Sequence, residues 1–118
     1  MAGTYILRRG QERAAPVQVM AADGAILIKE GVVTITKAGV CAMTLAAPLA
    51  GEDDGKVLWV DSLTAQAHTL TIANGLRGVG ASADVGTFTA VIGNGLGLYA
   101  YSGAWYPVPG TNTNVTFA

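Results

Sequence analysis

Along most of this chain, apolar and polar residues alternate with a period of two. Ile26 and Ile28, then Val33 and Ile35, are set against Lys29, Thr34 and Thr36. Leu70 and Ile72 alternate with Thr69 and Thr71, and Phe88, Ala90 and Ile92 alternate with Thr87, Thr89 and Val91. Such alternation marks strands with one buried face. Between the runs lie turn signals: Asp23-Gly24, Glu30-Gly31, Ala38-Gly39, Asp54-Gly55, Asn74-Gly75, Asn94-Gly95 and Ser102-Gly103. No long stretch carries a helical period. The pattern predicts strands at about 4–8, 16–20, 25–29, 32–36, 40–45, 56–62, 67–73, 86–92, 96–101 and 104–108. The expected fold is all-β: a short-stranded antiparallel sandwich, jelly-roll-like, or a small barrel, with a C-terminal aromatic hairpin. Residues 1–22 read as an N-terminal arm or first strands, 23–109 as the β domain and 110–118 as a polar C-terminal tail. A faint echo links Val33-Thr34-Ile35 to Leu70-Thr71-Ile72, and shared strand chemistry accounts for it.

The hairpin is the most specific local construction. A two-residue turn at Ser102-Gly103 sets Tyr101 opposite Ala104, Ala100 opposite Trp105 and Tyr99 opposite Tyr106. Leu98, Ala100 and Trp105 then share one face, with Trp105 capping the core. Tyr99, Tyr101 and Tyr106 share the other. Three tyrosines on one face suit cross-strand pairing, an interface of amphipathic rings, or a sugar-stacking site.

Composition narrows the class. The 118 residues carry seven Lys and Arg against eight Asp and Glu, a net charge of −1. Nucleic-acid binding needs a basic stripe to displace counterions, and a polybasic membrane anchor needs a like cluster, so neither partner is expected. There are 20 alanines and 12 threonines but only two Phe and two Trp. A core built from such small side chains is thin, and with few charges this points to a surface partly covered by a partner. Three of the seven cations, Arg8, Arg9 and Arg13, gather beside the strand-like Thr4-Tyr5-Ile6-Leu7. That combination suits an arm pairing with a neighbouring sheet edge. The start lacks the charged and apolar regions of a secretion signal, and Ala38 to Ala50 is too short and interrupted to span a bilayer, so cytoplasmic synthesis is expected.

The search for chemistry returns little. Cys41 lies in an apolar run and reads as a buried small hydrophobe; one cysteine allows no internal disulfide. His68 is the lone histidine and lies far from Cys41 in sequence, so no nucleophilic pair is expected. Glu52-Asp53-Asp54 has oxygens for calcium but sits before Gly55, where acidic residues form solvated turns. Gly95-Leu96-Gly97-Leu98-Tyr99-Ala100 fits a relaxed dinucleotide fingerprint without the strand-then-helix context that gives it meaning. No catalytic residue, metal or cofactor is expected.

A resemblance rests on several segments: Asp23-Gly24-Ala25-Ile26, Gly31 to Ala38, Ala42 to Pro48, Asp54 to Leu58, Ala67 to Thr71, Phe88 to Gly95, and Leu98 to Tyr106. Over residues 23–106 the chain resembles small β-rich virion proteins of tailed bacteriophages, the kind found as capsid decoration (cement) proteins or as head-fibre and tail-associated modules. The resemblance implies an assembly role without catalysis, a homotrimer, and the major capsid protein as partner. The virion's outer capsid surface would be its location. The candidate interface residues are Tyr5, Arg8, Arg9, Arg13, Tyr99, Tyr101 and Tyr106. The alternative function is a receptor- or glycan-binding module of a tail fibre or head fibre.

Overall fold

A computed structural model describes residues 15–77 and 83–118. The described chain is all-β and forms two five-stranded mixed sheets packed as an open sandwich, not a closed barrel. The strands are β1 (Val17–Met20), β2 (Gly24–Ile26), β3 (Gly31–Ile35), β4 (Ala42–Leu45), β5 (Val57–Ser62), β6 (Thr69–Ile72), β7 (Val85–Phe88), β8 (Gly95–Tyr101), β9 (Ala104–Pro107) and β10 (Val115–Phe117). The first sheet runs β1-β3-β5-β8-β9 and the second runs β10-β7-β6-β4-β2.

The expected antiparallel pairing holds for only half of the ladders. β1 with β3, β3 with β5, β2 with β4, and β4 with β6 are parallel. From β1 to β6 successive strands change sheet, so the chain winds as a flattened coil. The reason is local. Asp23-Gly24 and Glu30-Gly31 carry the chain across to the facing sheet instead of folding it back on its own. Parallel neighbours need a crossover, and here the crossover is a strand of the opposite sheet. Antiparallel pairing begins only with β7, which pairs with β6, and continues with β8 on β5, β9 on β8 and β10 on β7.

Coil winding stacks like on like inside the sandwich. Ile26 faces Leu45, which faces Ile72, while Val33 faces Val60, which faces Leu96. Trp105 is fully buried and donates its indole N–H to the Ala46 carbonyl at 2.9 Å, pinning the hairpin to the strand exit of the opposite sheet. The open end of the coil is closed by Gln18. Its amide donates to the Ala25 carbonyl at 3.0 Å and accepts the Leu27 N–H at 2.7 Å, joining β1 to the chain following β2.

Two sequence expectations change. The strand foreseen at 86–92 ends at Phe88, because the Val91 N–H turns back to the Thr89 carbonyl at 2.7 Å and the Asn94 amide donates to the same oxygen at 2.8 Å. Val91 and Ile92 are consequently exposed. The segment 110–118 is no detached tail: it contributes β10, with Val115 opposite Phe88 and Phe117 opposite Gly86. Glycine at 86 leaves room for the Phe117 ring: a Cβ there would lie 2.8 Å from the ring, which would have to shift. The Val33–Ile35 and Leu70–Ile72 echo falls on strands of opposite sheets, as shared alternation would give. The strand expected at 4–8 lies outside the described residues.

Candidate docking face

The outward surfaces of the two sheets differ in kind. On the second sheet the register lines up Ala42, Thr69, Thr87 and Thr116 in one row and Ala25, Thr44, Thr71 and Val85 in the next. Five threonines dominate that surface, and hydroxyls of this density are readily solvated. On the first sheet the rows are Val17, Val32, Trp59 and Gly97, then Val57, Tyr99 and Tyr106, with Tyr101 beside Ala104. Val19, Thr34, Asp61 and Gly95 make the remaining row. Asp61 is the single charged residue among these strand positions.

The apolar members of this face are accessible. Val17 is 63% exposed, Tyr101 56% and Trp59 43%. A contiguous apolar surface rimmed by polar residues marks a place of contact. Its shape is fixed from beneath. The hairpin has the register foreseen from the sequence, with Tyr99 opposite Tyr106 and Ala100 opposite Trp105. Ser102 and Gly103 both take positive φ, 51° and 80°, as a two-residue primed turn demands. Tyr99 and Tyr106 stack with ring centroids 5.3 Å apart at 15°, and Tyr101 meets Tyr106 at 6.0 Å and 55°. The structure thus brings Tyr99, Tyr101 and Tyr106 together. Tyr5, Arg8, Arg9 and Arg13 lie outside the described residues.

Sequence reasoning missed Trp59, Val17, Val19 and Val32 as members of the same surface. Val57-Leu58-Trp59-Val60 carries the signal for Trp59: alternation puts Leu58 and Val60 inward and Trp59 outward. Joining that residue to the tyrosines needed the strand order β5-β8-β9, which alternation alone does not supply.

The other chemical candidates are committed to structure. Asp53 is buried; it accepts the Leu49 N–H at 2.7 Å and pairs with Lys56 at 2.8 Å and Lys29 at 3.1 Å. The Leu49 bond first, then the two ammonium groups, hold its carboxyl far below the usual carboxylate range. Asp54 accepts the N–H of Gly51 at 3.1 Å and of Ser102 at 2.9 Å, tying the acidic turn to the hairpin. Among the described residues no three His, Cys, Asp or Glu side chains converge as a metal site would require.

Cys41 and His68, distant in sequence, prove to be neighbours. Their contact runs through the backbone: the Cys41 N–H donates to His68 Nδ1 at 3.0 Å. The Cys41 thiol instead points to the Ala22 carbonyl at 3.4 Å, and burial pushes its pKa up, away from the thiolate a nucleophile needs. No protein family, curated protein or solved structure matches this chain.

Proposed function

We propose that this chain is a structural protein of a bacteriophage virion, a capsid decoration protein that seats the outer face of its first sheet on the capsid and leaves its threonine face to solvent. The observation that carries the reading is the two-sidedness: Val17, Val32, Val57, Trp59, Tyr99, Tyr101 and Tyr106 on one surface and five threonines on the other. A module that cements a shell must stick by one side and stay wet on the other. Rigid aromatic anchors supply much of the binding energy of interfaces at little entropic cost. Nothing in the described residues joins a nucleophile to a base, and the buried carboxylate Asp53 is spent on two lysines.

Area sets a further condition. Five strands about 4.8 Å apart and about five residues long project roughly 400 Å². A standard interface covers about 800 Å² per partner. One copy therefore holds weakly through the sheet alone, and firm attachment calls for copies joined together, in keeping with a homotrimer. Linked copies multiply a modest single-site affinity.

Co-sedimentation with heads of the phage whose genome carries this gene tests the reading. Full-length protein is expected to saturate the heads, and a folded Tyr99→Ser/Tyr101→Ser/Tyr106→Ser variant to lose most of its occupancy. A wild-type protein that never co-sediments, or a folded variant that decorates to full occupancy, overturns it.

A further inference from the structure

We infer that a groove at the end of the first sheet, between Trp59, Asp61 and the segment Thr111–Thr113, binds a single saccharide ring. This goes beyond the docking reading: it shares Trp59 and Asp61 with the first sheet's outer face and adds Thr111 and Thr113 beside them. The groove has a volume of about 250 Å³ and is lined by Trp59, Asp61, Gly93, Gly95, Thr111 and Thr113 together with the strand interior behind them.

Its walls are rigid for identifiable reasons. Trp59 pairs with Gly97, and a Cβ at Gly97 would come within 2.7 Å of the indole. The ring therefore lies down against bare backbone while remaining partly open to solvent. A Cβ at Gly95 would fall 2.0 Å from the Val60 carbonyl oxygen, so the floor of the groove is main chain with no side chain above it. Thr111 is locked: its hydroxyl accepts the Gly97 N–H at 3.0 Å and donates to the Val108 carbonyl at 2.7 Å. The main chain of Thr113 pairs with Gly95 in both directions, at 2.8 and 3.2 Å, which fixes the opposite wall.

The unspent groups define the ligand. Among the described residues, the Asp61 carboxylate and the Thr113 hydroxyl have no hydrogen-bond partner and no cation lines the groove. A phosphate or other anion would face Asp61 with no cation among the described lining residues to neutralise it. A purely apolar ligand would leave both polar groups unmatched, which costs binding free energy. What fits is a small ring with one apolar face for the indole and hydroxyls that both donate and accept, for Asp61 and Thr113. That describes a pyranose. A guanidinium matches the indole and the carboxylate and can donate to the Thr113 oxygen, but it leaves the Thr113 hydroxyl proton to water, whereas pyranose hydroxyls take up both the donor and the acceptor role. The volume lies just below the about 300–1,000 Å³ of drug-sized ligand sites, which suits one sugar ring and not a nucleotide.

The test is an NMR titration of the isotope-labelled full chain with the methyl glycosides of glucose, galactose, mannose, N-acetylglucosamine and rhamnose, each run separately. Methylguanidinium and inorganic phosphate serve as comparison probes. The two tryptophans give two indole N–H signals, so the buried Trp105 is an internal control. At least one glycoside is expected to move the Trp59 indole signal saturably, with a Kd of about 1–10 mM. Asp61→Asn is expected to weaken that binding about tenfold. Followed instead by the backbone amides of Gly93, Gly95 and Thr113, binding is expected to be retained in part by Trp59→Phe and abolished by Trp59→Ala, while Tyr101→Ser leaves it unchanged. Absence of a saturable shift up to about 50 mM of every glycoside, or binding of methylguanidinium alone, overturns the inference. So does glycoside binding undiminished by Asp61→Asn. A lost docking function in the tyrosine variant with glycoside binding intact separates the two proposals.

Discussion

The backbone N–H of Cys41 donates to His68 Nδ1 at 3.0 Å, inside a fully buried site. That bond fixes the ring's tautomer. With Nδ1 accepting, the proton of the neutral ring sits on Nε2, which faces the Thr64 hydroxyl at 2.9 Å and the Thr64 carbonyl at 3.3 Å. The hydroxyl passes the chain on by donating to the Lys37 carbonyl at 2.8 Å. Two connections of the coil, β3 to β4 and β5 to β6, are thereby tied to one imidazole.

Acid should loosen this knot. Burial pushes the His68 pKa below its ordinary value of 6.5; the Thr64 carbonyl bond opposes the shift in part, and the nearby Lys37 charge adds to it. The unfolded chain therefore binds a proton at a pH where the folded chain still resists it. Stability contributed by His68 is present above about pH 6.5 and declines as pH falls below that value toward the lowered folded pKa. Thermal melts from pH 8 to pH 5 should show a falling Tm, and a folded His68→Gln variant should flatten the slope across that window. An unchanged slope in the variant would assign the decline to other groups.

Asp53 titrates in a separate, more acidic window. Its folded pKa is depressed from 3.8, so its contribution is complete above that value and is lost only as pH falls below it. At neutral pH the residue is tested by substitution. Asp53→Asn keeps an acceptor for the Leu49 N–H and loses both ammonium partners, whereas Asp53→Ala loses all three. Both should lower the Tm by several degrees, with Asp53→Ala the worse, since the Leu49 bond is the leading influence on this carboxyl. If the two variants melt together, the backbone bond adds nothing beyond the ion pairs.

Trp105 measures how far a thin core depends on one large side chain. It is fully buried, and its indole bond to Ala46 crosses from one sheet to the other. Trp105→Phe should cost about 1–2 kcal/mol, mainly for the orphaned carbonyl. Trp105→Ala should cost about 3–5 kcal/mol for the cavity. Chemical denaturation of both variants checks the order; equal costs would mean that the hydrogen bond, not the ring volume, is what counts.

Much of this fold was legible because alternation reports which way each side chain points. Nine of the strands predicted from pattern fall on the nine from β1 to β9, and the Ser102-Gly103 turn gave the tyrosine register outright. Pairing partners were not legible. Alternation is blind to neighbour identity, so nothing in Val33-Thr34-Ile35 says that it lies beside Val60-Asp61-Ser62 in parallel. β10 was missed because three residues are too few for periodicity, and its place is set by Gly86 making room for Phe117. The candidate docking face was half legible for the same reason. Tyr99, Tyr101 and Tyr106 are linked by a local hairpin, whereas Val17, Val32 and Trp59 are joined to them only by strand order. Asp53 reads in sequence as part of a solvated acidic turn, and only the tertiary approach of Lys29 turns it into a buried anchor.

The two glycines under the first sheet's outer face separate packing from surface shape. Gly95 opposes Asp61 and Gly97 opposes Trp59, so both sit on β8 with the same orientation. Their obstacles differ. A Cβ at Gly95 meets the Val60 carbonyl oxygen at 2.0 Å, and a backbone atom inside a ladder cannot step aside. A Cβ at Gly97 meets the Trp59 ring edge at 2.7 Å, and a side chain can swing outward. Gly95→Ala should therefore destabilise by on the order of 2–4 kcal/mol, the range of severe steric strain. Gly97→Ala should cost about 1 kcal/mol or less, yet lift the indole from its seat. Denaturant unfolding gives the first comparison, and the accessibility of Trp59 fluorescence to a collisional quencher gives the second. Because Trp105 stays buried, any gain in quenching in Gly97→Ala reports Trp59 alone. Equal stability losses in the two variants, with quenching unchanged in Gly97→Ala, would mean that the ring is held in place by more than the absence of a methyl group beneath it.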